Sequence, residues 1–210
     1  MKTAAILILS YFLGSLPFGL IVAFRWRGVD IRKYGSGNIG ATNVYRALGR
    51  GPGAVVFVLD ILKGLIPVLI ARQWMPNDAW TAVGVAILAI LGHTFSVFLK
   101  FRGGKGAATS LGVIIGLDWR VAVVTFVVWF IVLAISRFVS LASIAGAVSV
   151  PVMMFALGMP LPYKIFGLVA GACVIAKHRS NISRLMNGTE ARIGQRVDVK
   201  EESPNDEERS

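Results

Sequence analysis

The chain has 210 residues, of which 55% are hydrophobic and only 16% are charged, and its mean hydropathy is +0.69. Soluble domains are about 25% charged, so this composition nearly excludes a soluble globular enzyme. The formal net charge of +11 would suit a nucleic-acid-binding protein, but the hydropathy would not. A chain this apolar and this basic must keep its charges apart from its apolar mass, which is typical of a multi-span membrane protein.

The first apolar segment, residues 4–24, carries no charge and is long enough to span a bilayer core about 30 Å thick. A secretory signal is the alternative, but the segment lacks the basic start, the short apolar core and the small-residue cleavage site of such signals. We therefore expect a retained first helix, in which Pro17 permits a kink.

Further apolar segments follow along the chain, at residues 51–71, 79–99, 106–117, 121–136, 138–158 and 161–176. The segment at 106–117 is too short to cross alone, because an α-helix rises only about 1.5 Å per residue. It begins at a glycine-rich turn and is expected to form a half-span. The sequence thus predicts an all-α integral membrane protein with about seven transmembrane helices, one of them short. Five or six is the alternative if segments pair or re-enter.

The positions of lysine and arginine predict the orientation. Most of them follow the first, third, fifth and seventh apolar segments, whereas Lys2, Arg72, Arg120 and Lys164 fall on the opposite side. Because cytoplasmic loops carry the excess of positive charge, we expect the N-terminus outside and the C-terminus in the cytoplasm. Residues 1–197 are interpreted as a single membrane domain. Residues 198–210 are acidic and lack apolar periodicity, so a disordered tail is expected there.

The loop after the first segment carries groups suited to a phosphate. Its residues of interest are Gly35, Ser36, Gly37, Asn38, Thr42 and Arg46. Alternating glycines let backbone N–H groups curl around an oxyanion, and the polar side chains add donors. Thr42 and Arg46 are one helical turn apart, so both can face one ligand. The alternative is a flexible loop at the membrane surface.

A second polar segment, Gly103-Gly104-Lys105, leads directly into the short apolar segment. Two glycines free the backbone, the lysine supplies a point charge, and the start of the following helix offers unpaired N–H groups. This combination favours phosphate. It is not a P-loop, because Leu99 stands where the first glycine of that motif is required.

A third polar segment follows the last apolar one and contains His178 and Asn181, one helical turn apart. The histidine could donate, accept or take a proton near neutral pH, and the alternative is an interfacial packing residue. Ser143 lies early in the sixth segment, where it caps or packs a helix or reaches a ligand from the inner surface.

Charged and titratable residues also occur inside predicted spans. Asp60 and Lys63 are three residues apart, and their simplest role is mutual pairing that lets both enter the helix bundle. For His93, a neutral ring hydrogen-bonded between helices is one interpretation and a catalytic role is the other.

Taken together, these segments resemble the bacterial acyl-phosphate:glycerol-3-phosphate acyltransferases, the PlsY family. The matching segments are GSGNIGATN at 35–43, DILKG at 60–64, GH at 92–93, KFRGGKGAAT at 100–109, SLASI at 140–144 and HRSNISRL at 178–185. Each is modest alone, but six in register are highly specific. Ser96 departs from the family, which usually has proline there, and we expect a local packing difference.

The resemblance implies transfer of a fatty acyl group from acyl phosphate to the 1-hydroxyl of glycerol 3-phosphate, giving lysophosphatidic acid and phosphate, as the first step of phospholipid synthesis. It also implies a seven-helix enzyme of the bacterial inner membrane with its site open to the cytoplasm, in contact with membrane lipid and not with nucleic acid. The oligomeric state is left open.

Residue by residue, the resemblance implies two groups in the site. The catalytic group is Ser36, Arg46, Lys105, His178 and Asn181, and the substrate-binding group is Gly35, Gly37, Asn38, Thr42, Gly103, Gly104 and Ser143. Arg46 and Lys105 are assigned to phosphate charge, and His178 and Asn181 to orienting glycerol 3-phosphate. The base is either His178 or the phosphate of the substrate.

Three further expectations come from what the sequence contains. Two histidines and one cysteine cannot form the usual His/Cys transition-metal cage, so we infer neither a metal nor an organic cofactor. A transporter for a phosphorylated metabolite is an alternative function, but it would need polar groups near the bilayer midplane. A non-catalytic lipid-binding scaffold is another, and it would tolerate loss of the histidine and the lysine.

Overall fold

The computed structural model describes residues 1–197 and residue 199, and every regular element in this part of the chain is helical. The helices are α1 (Lys2–Ser15), α2 (Phe18–Arg27), α3 (Ala41–Leu48), α4 (Arg50–Trp74), α5 (Ala79–Thr94), α6 (Ala107–Leu117), α7 (Trp119–Ser136), α8 (Val139–Ala156), α9 (Leu161–Lys177) and α10 (Arg179–Met186). Short 3₁₀ turns lie at Ile31–Lys33 and Val97–Leu99. The predicted acidic tail lies outside the described residues, except for Val199.

The first apolar segment, expected as one helix that Pro17 permits to kink, forms two helices with the break at Pro17. Proline has no N–H and clashes with the preceding turn, so a continuous helix would be kinked or broken there. Together α1 and α2 span Lys2–Arg27 and are apolar enough to cross a bilayer. Gly28 ends α2 in the left-handed region, with φ of 67°.

Five segments of the described chain have the length and hydropathy of membrane spans, namely Lys2–Arg27, Arg50–Trp74, Ala79–Leu99, Trp119–Ser136 and Val139–Ala156. The short α6 has 11 residues, in agreement with the predicted half-span, and α9 has 17. The chain is therefore an all-helical integral membrane protein. The total of seven and the orientation of the termini stay predictions.

Close helix packing depends on small residues at the crossing points. α1 packs on α5, α4 on α6, and α7 on α8. At the α4–α6 crossing, a Cβ on Gly64 would overlap the carbonyl of Thr109, and a Cβ on Gly112 would overlap that of Ile61. Small residues let membrane helices approach until their backbones touch, which maximises van der Waals contact where lipid offers no hydrophobic driving force.

The polar segments gather at one end of the bundle. The backbone N–H of Val197 donates to the carbonyl of Arg46 (3.1 Å), and that of Ile193 donates to the carbonyl of Arg137 (2.8 Å). The helix α3, the α7–α8 junction and the segment after α10 are thereby tied together. This end of the bundle holds all three polar segments singled out in the sequence.

Two side chains satisfy carbonyl groups at the break between α1 and α2. The hydroxyl of Ser96 donates to the carbonyl of Ser15 (2.6 Å), and the ammonium of Lys63 donates to that of Leu16 (2.8 Å). Ser96 is 1% exposed. A proline at this position has no side-chain donor and could not make the first bond.

We predict that Ser96→Ala destabilises the fold without removing activity. It leaves the buried carbonyl of Ser15 without this donor, which typically costs about 1–3 kcal/mol. Thermal unfolding of the purified variant in detergent checks the loss, with Ser10→Ala as the control, because the buried Ser10 hydroxyl donates to the carbonyl of Leu7 within its own helix. An unchanged melting temperature would contradict the role of the Ser96 bond.

Candidate active site

Two cavities meet at the polar end of the bundle. The first, of about 550 Å³, lies among α3, α4, α6, α7, α8 and α9, and the second, of about 700 Å³, lies between α5 and α9. Ser36, Asn38 and Lys105 line both cavities. These three polar residues therefore stand at the junction of the two cavities.

The loop at residues 35–43 is folded around the side chain of Asn43. Its amide nitrogen contacts the carbonyls of Ile31 (3.2 Å), Tyr34 (3.0 Å) and Asn38 (2.9 Å), and its amide oxygen accepts from the N–H of Ser36 (2.9 Å). Asn43 is 2% exposed. Because one side chain closes the loop, Ser36 and Asn38 are held at the cavity rather than free to move.

Gly35 and Gly37 shape this loop and do not line either cavity. Both adopt positive φ, of 58° and 68°, in the region that other residues rarely occupy. A Cβ on Gly35 would also overlap the amide oxygen of Asn43. Their contribution to a site is thus the path of the backbone.

Arg46 extends from α3 toward the segment after α10. One guanidinium nitrogen donates to the carbonyl of Ala191 (2.8 Å), and Nε is buried without a protein partner among the described residues. Burial lowers the pKa of Arg46, but a guanidinium stays charged at any physiological pH. Arg46 therefore brings a fixed positive charge with unused donor capacity to the first cavity.

The Gly103–Lys105 turn folds back onto the end of α5. The N–H of Gly103 donates to the carbonyl of Thr94, and that of Gly104 to the carbonyl of His93, each at 3.0 Å. Both glycine N–H groups are thus bonded within the fold, and the unpaired N–H groups expected here are those at the start of the following helix. The glycines instead permit close approach, because a Cβ on Gly103 would strike the His93 carbonyl.

The start of α6 presents the donors that the turn does not. Gly106 precedes the helix with φ of 80°, and no described side chain caps it. Ala107 and Ala108 in the first turn line the first cavity. Helix N-termini bind anions through such unsatisfied N–H groups and the helix dipole, so this end of α6 presents a partial positive charge to the cavity.

Lys105 is tied to the C-terminal segment through a chain of polar contacts. Its ammonium donates to the amide oxygen of Asn181. The amide nitrogen of Asn181 donates to the carboxylate of Glu190 (2.7 Å), which also accepts from the hydroxyl of Ser140 (2.7 Å) and from Nε of Arg184 (2.7 Å). Glu190 is thus the acceptor that fixes the orientation of the Asn181 amide, and hence the end to which Lys105 binds.

The surroundings in this network favour the charged form of the Glu190 carboxylate and make the Lys105 ammonium easier to deprotonate. Burial raises the pKa of Glu190, but hydrogen bonds from Ser140, Asn181 and Arg184 outweigh it, so the pKa lies below its usual range. Burial, reinforced by the positive charge of Arg184, lowers the pKa of Lys105 to about 8. The lysine is protonated near neutral pH and loses its proton slightly above it.

His178 and Ser143 line the first cavity beside this network. Nδ1 of His178 lies 2.7 Å from the carbonyl of Val174, which can only accept, so Nδ1 carries the proton and Nε2 is an acceptor in the neutral ring. Burial lowers the pKa of His178. The hydroxyl of Ser143 donates to the carbonyl of Val139 (2.9 Å) and accepts from Nε1 of Trp129 (3.4 Å), so its donor is already used.

Much of the rest of the first cavity is lined by apolar side chains from the helices, among them Leu111, Ile114, Phe126, Ala147 and Val150. A cavity that is cationic at one end and mainly apolar along the rest matches a ligand with a phosphate and an alkyl chain.

The structure places most of the predicted residues at the cavities and adds others. Thr42, Arg46, Ser143, His178 and Asn181 line the first cavity, Gly103 and Gly104 the second, and Ser36, Asn38 and Lys105 both. Glu190 carried no assigned role in the sequence, because a single acidic residue after a helix is no signal by itself. Asp60 and His93 also line the first cavity, and the Asp60–Lys63 pair is present at 2.8 Å.

Comparison with known proteins gives the family. The profile of the glycerol-3-phosphate acyltransferase family matches residues 4–188. A glycerol-3-phosphate acyltransferase of Trichormus variabilis is 46% identical over 94% of this chain and 95% of its own length. The one from Synechococcus elongatus is 50% identical over 94% of this chain and 97% of its own length.

Two solved structures have the same fold. They are crystal structures of PlsY, an integral membrane glycerol 3-phosphate acyltransferase. The glycerol 3-phosphate form is 44% identical with a TM-score of 0.89 and covers 92% of this chain and 96% of its own. The lysophosphatidic acid form is 43% identical with a TM-score of 0.87 and covers 93% of this chain and 97% of its own. By profile, by sequence and by fold, the chain belongs to the glycerol-3-phosphate acyltransferase family.

Proposed function

We propose that the protein transfers a fatty acyl group from acyl phosphate to the 1-hydroxyl of glycerol 3-phosphate, which gives lysophosphatidic acid and inorganic phosphate. The observation that carries this proposal is the junction of a half-buried cationic network with an apolar cavity of about 550 Å³. The two related structures, in glycerol 3-phosphate and lysophosphatidic acid forms, support the acceptor and the product.

Both substrates bring a phosphate, and this site offers separate positive groups for them. Arg46 and Lys105, with the start of α6, supply charge and N–H donors, while Ser36, Asn38 and Thr42 supply neutral hydrogen bonds. Asn181 and His178 orient glycerol 3-phosphate. The acyl chain lies along the apolar wall of the first cavity, where its removal from water is favourable.

The chemistry needs no enzyme nucleophile, because acyl phosphate is already activated. The 1-hydroxyl oxygen of glycerol 3-phosphate attacks the acyl carbonyl carbon, a new C–O ester bond forms, and the C–O bond to phosphate breaks. Positioning and charge stabilisation by Arg46 and Lys105 supply the catalysis.

The proton of the attacking hydroxyl is taken up by a phosphate oxygen of the substrate. The departing phosphate becomes strongly basic as its bond to carbon breaks, so hydrogen phosphate is the natural product. Burial lowers the pKa of His178, so its imidazole is a weaker base than an exposed histidine. His178 then orients the acceptor substrate through Nε2.

The positive charge on one side of the bundle supports a cytoplasmic site. Lys105, Arg46 and the cationic segment after α9 are at the same end, which the positive-inside rule assigns to the cytoplasm. The protein thus performs the first acylation of phospholipid synthesis at the cytoplasmic face of the bacterial inner membrane.

We predict that purified protein releases phosphate when supplied with acyl phosphate and glycerol 3-phosphate, and not when acyl-CoA replaces acyl phosphate. Lys105→Ala and Arg46→Ala are expected to abolish transfer, because each removes a charge that holds phosphate. Phosphate release and lysophosphatidic acid formation are measured together in detergent.

Arg120→Ala is the matched control, since Arg120 pairs with Asp118 at the start of α7, away from the cavities. Full activity of Lys105→Ala or Arg46→Ala would remove the phosphate-binding assignment. Equal activity with acyl-CoA would contradict the assignment of acyl phosphate as the acyl donor.

We predict that kcat/KM falls as the pH rises through about 8, because Lys105 then loses its proton. The pH dependence of kcat/KM reports the pKa values of groups in the free enzyme. Substrate phosphates have a second pKa of about 6 and are already fully ionised in this range. Glu190 raises the pKa of Lys105 by its charge, so Glu190→Gln should move the decline to lower pH. A profile that stays flat to pH values well above 8, or that Glu190→Gln leaves in place, would contradict this assignment.

For His178→Ala we expect a raised KM for glycerol 3-phosphate and a smaller change in kcat, because the ring orients this substrate. A general base would contribute about 10²–10⁴ in rate. A loss of kcat of that size with an unchanged KM would instead identify His178 as the base. Steady-state kinetics with each substrate varied separately make the distinction.

A further inference from the structure

A buried charged cluster lies behind the turn that carries Lys105, and the proposed mechanism does not use it. Asp60, Lys63 and His93 are 2%, 4% and 4% exposed. The Lys63 ammonium lies 2.8 Å from the Asp60 carboxylate and also donates to the carbonyl of Leu16 (2.8 Å), at the break between α1 and α2. Burying such a pair inside a membrane protein is costly, and ionisable residues there are generally functional.

The cluster continues from Asp60 to His93. Nδ1 of His93 lies 3.7 Å from Oδ1 of Asp60, the oxygen that pairs with Lys63, and Nδ1 itself has no hydrogen-bond partner among the described residues. The ring is therefore not hydrogen-bonded between helices, contrary to one of its sequence interpretations. The carboxylate of Asp60 instead faces one edge of the ring.

The opposite edge of the His93 ring supports the Gly103–Lys105 turn. A Cβ on Gly104 would overlap Nε2 of the ring, so the ring and the Gly104 backbone are in contact. The carbonyl of His93 also accepts the N–H of Gly104 (3.0 Å). His93 thus contacts the turn through both its ring and its backbone, one residue before Lys105.

We propose that His93 is a positioning residue, clamped between Asp60 and Gly104, that fixes the turn from which Lys105 reaches the phosphate. This inference rests on the proposed function, since it assigns Lys105 to substrate phosphate. The Asp60–Lys63 pair contacts the ring on the edge opposite Gly104, and Lys63 also donates to the carbonyl of Leu16. His93 lines the first cavity, but its role in this proposal is through the turn, because the Gly104 backbone packs against Nε2.

A pair of glycine variants tests the contact directly. Gly104→Ala places a methyl group against the His93 ring, whereas Gly103→Ala places one against the His93 and Thr94 carbonyls. Removing the ring with His93→Ala relieves the first clash and cannot relieve the second. Each single variant is expected to raise KM for the phosphate substrates about tenfold to a hundredfold, since small displacements at a site have effects of this size.

Two double variants distinguish a direct contact between the His93 ring and Gly104 from independent effects. In Gly104→Ala/His93→Ala the KM should be no worse than in the weaker single variant, because the methyl group occupies space that the ring has left. In Gly103→Ala/His93→Ala the two fold-changes should multiply, as they do for independent effects. Multiplying fold-changes in both double variants would overturn the proposal.

A second test separates positioning from stability. Asp60→Leu/Lys63→Met replaces the buried pair with apolar residues, a change that is often neutral or stabilising. We expect the melting temperature to be retained and the KM to rise about tenfold, because the ring has lost the carboxylate behind it. An unchanged KM in folded protein would overturn the role of the pair.

Arg72→Met is the matched control on the same helix. Arg72 donates to the carbonyls of Gly116 (2.7 Å) and Leu117 (3.1 Å) at the other end of α4, so its loss should leave KM unchanged. Transfer by the unaltered protein is the reference for the whole series. If that protein is inactive, the proposed function has failed, and if it is active while the double variants behave independently, only the role of His93 has failed.

Discussion

The arrangement of the polar end depends on one carboxylate. Glu190 accepts from Ser140, Asn181 and Arg184, and through Asn181 it orients the amide that binds Lys105. Without a negative charge here, Lys105, Arg46 and Arg184 would repel one another in a half-buried region. With it, the cations remain close together while retaining capacity for a phosphate. The carboxylate is therefore the counter-charge that makes a cationic site stable before substrate arrives.

The membrane imposes the second constraint, because charged groups need polar partners at its surface and alkyl chains need apolar surroundings within it. The helices provide an apolar cavity wall, and the loops at one end provide the donors. A substrate with a phosphate and an acyl chain meets both conditions only where the two regions join. The glycine-rich segments are at that junction since their backbones fold tightly against helix ends and carry side chains to the cavity.

Much of the architecture was predictable from local patterns. The break at Pro17, the short helix after Gly106 and the grouping of cations on one side follow from proline geometry, segment length and charge distribution. The predicted span at 79–99 ends its α-helix earlier, at Thr94, because the Gly103–Gly104 turn folds back onto the carbonyls of His93 and Thr94. The sequence predicted only that those glycines free the backbone. Their close approach to the His93 backbone and ring became visible only in three dimensions.

The sequence by itself determined where the chain is apolar, which side of the bundle is basic, and which residue types could meet a phosphate. These properties are local, since hydropathy, helix length and glycine conformation depend on neighbouring residues. Tertiary structure decided the partners: Lys105 with Asn181, Glu190 with Ser140, Lys63 with Leu16, and His93 with Gly104. These contacts join residues that are not neighbours in the chain, and they exist because the packing of the helices brings particular side chains and carbonyls within reach of one another.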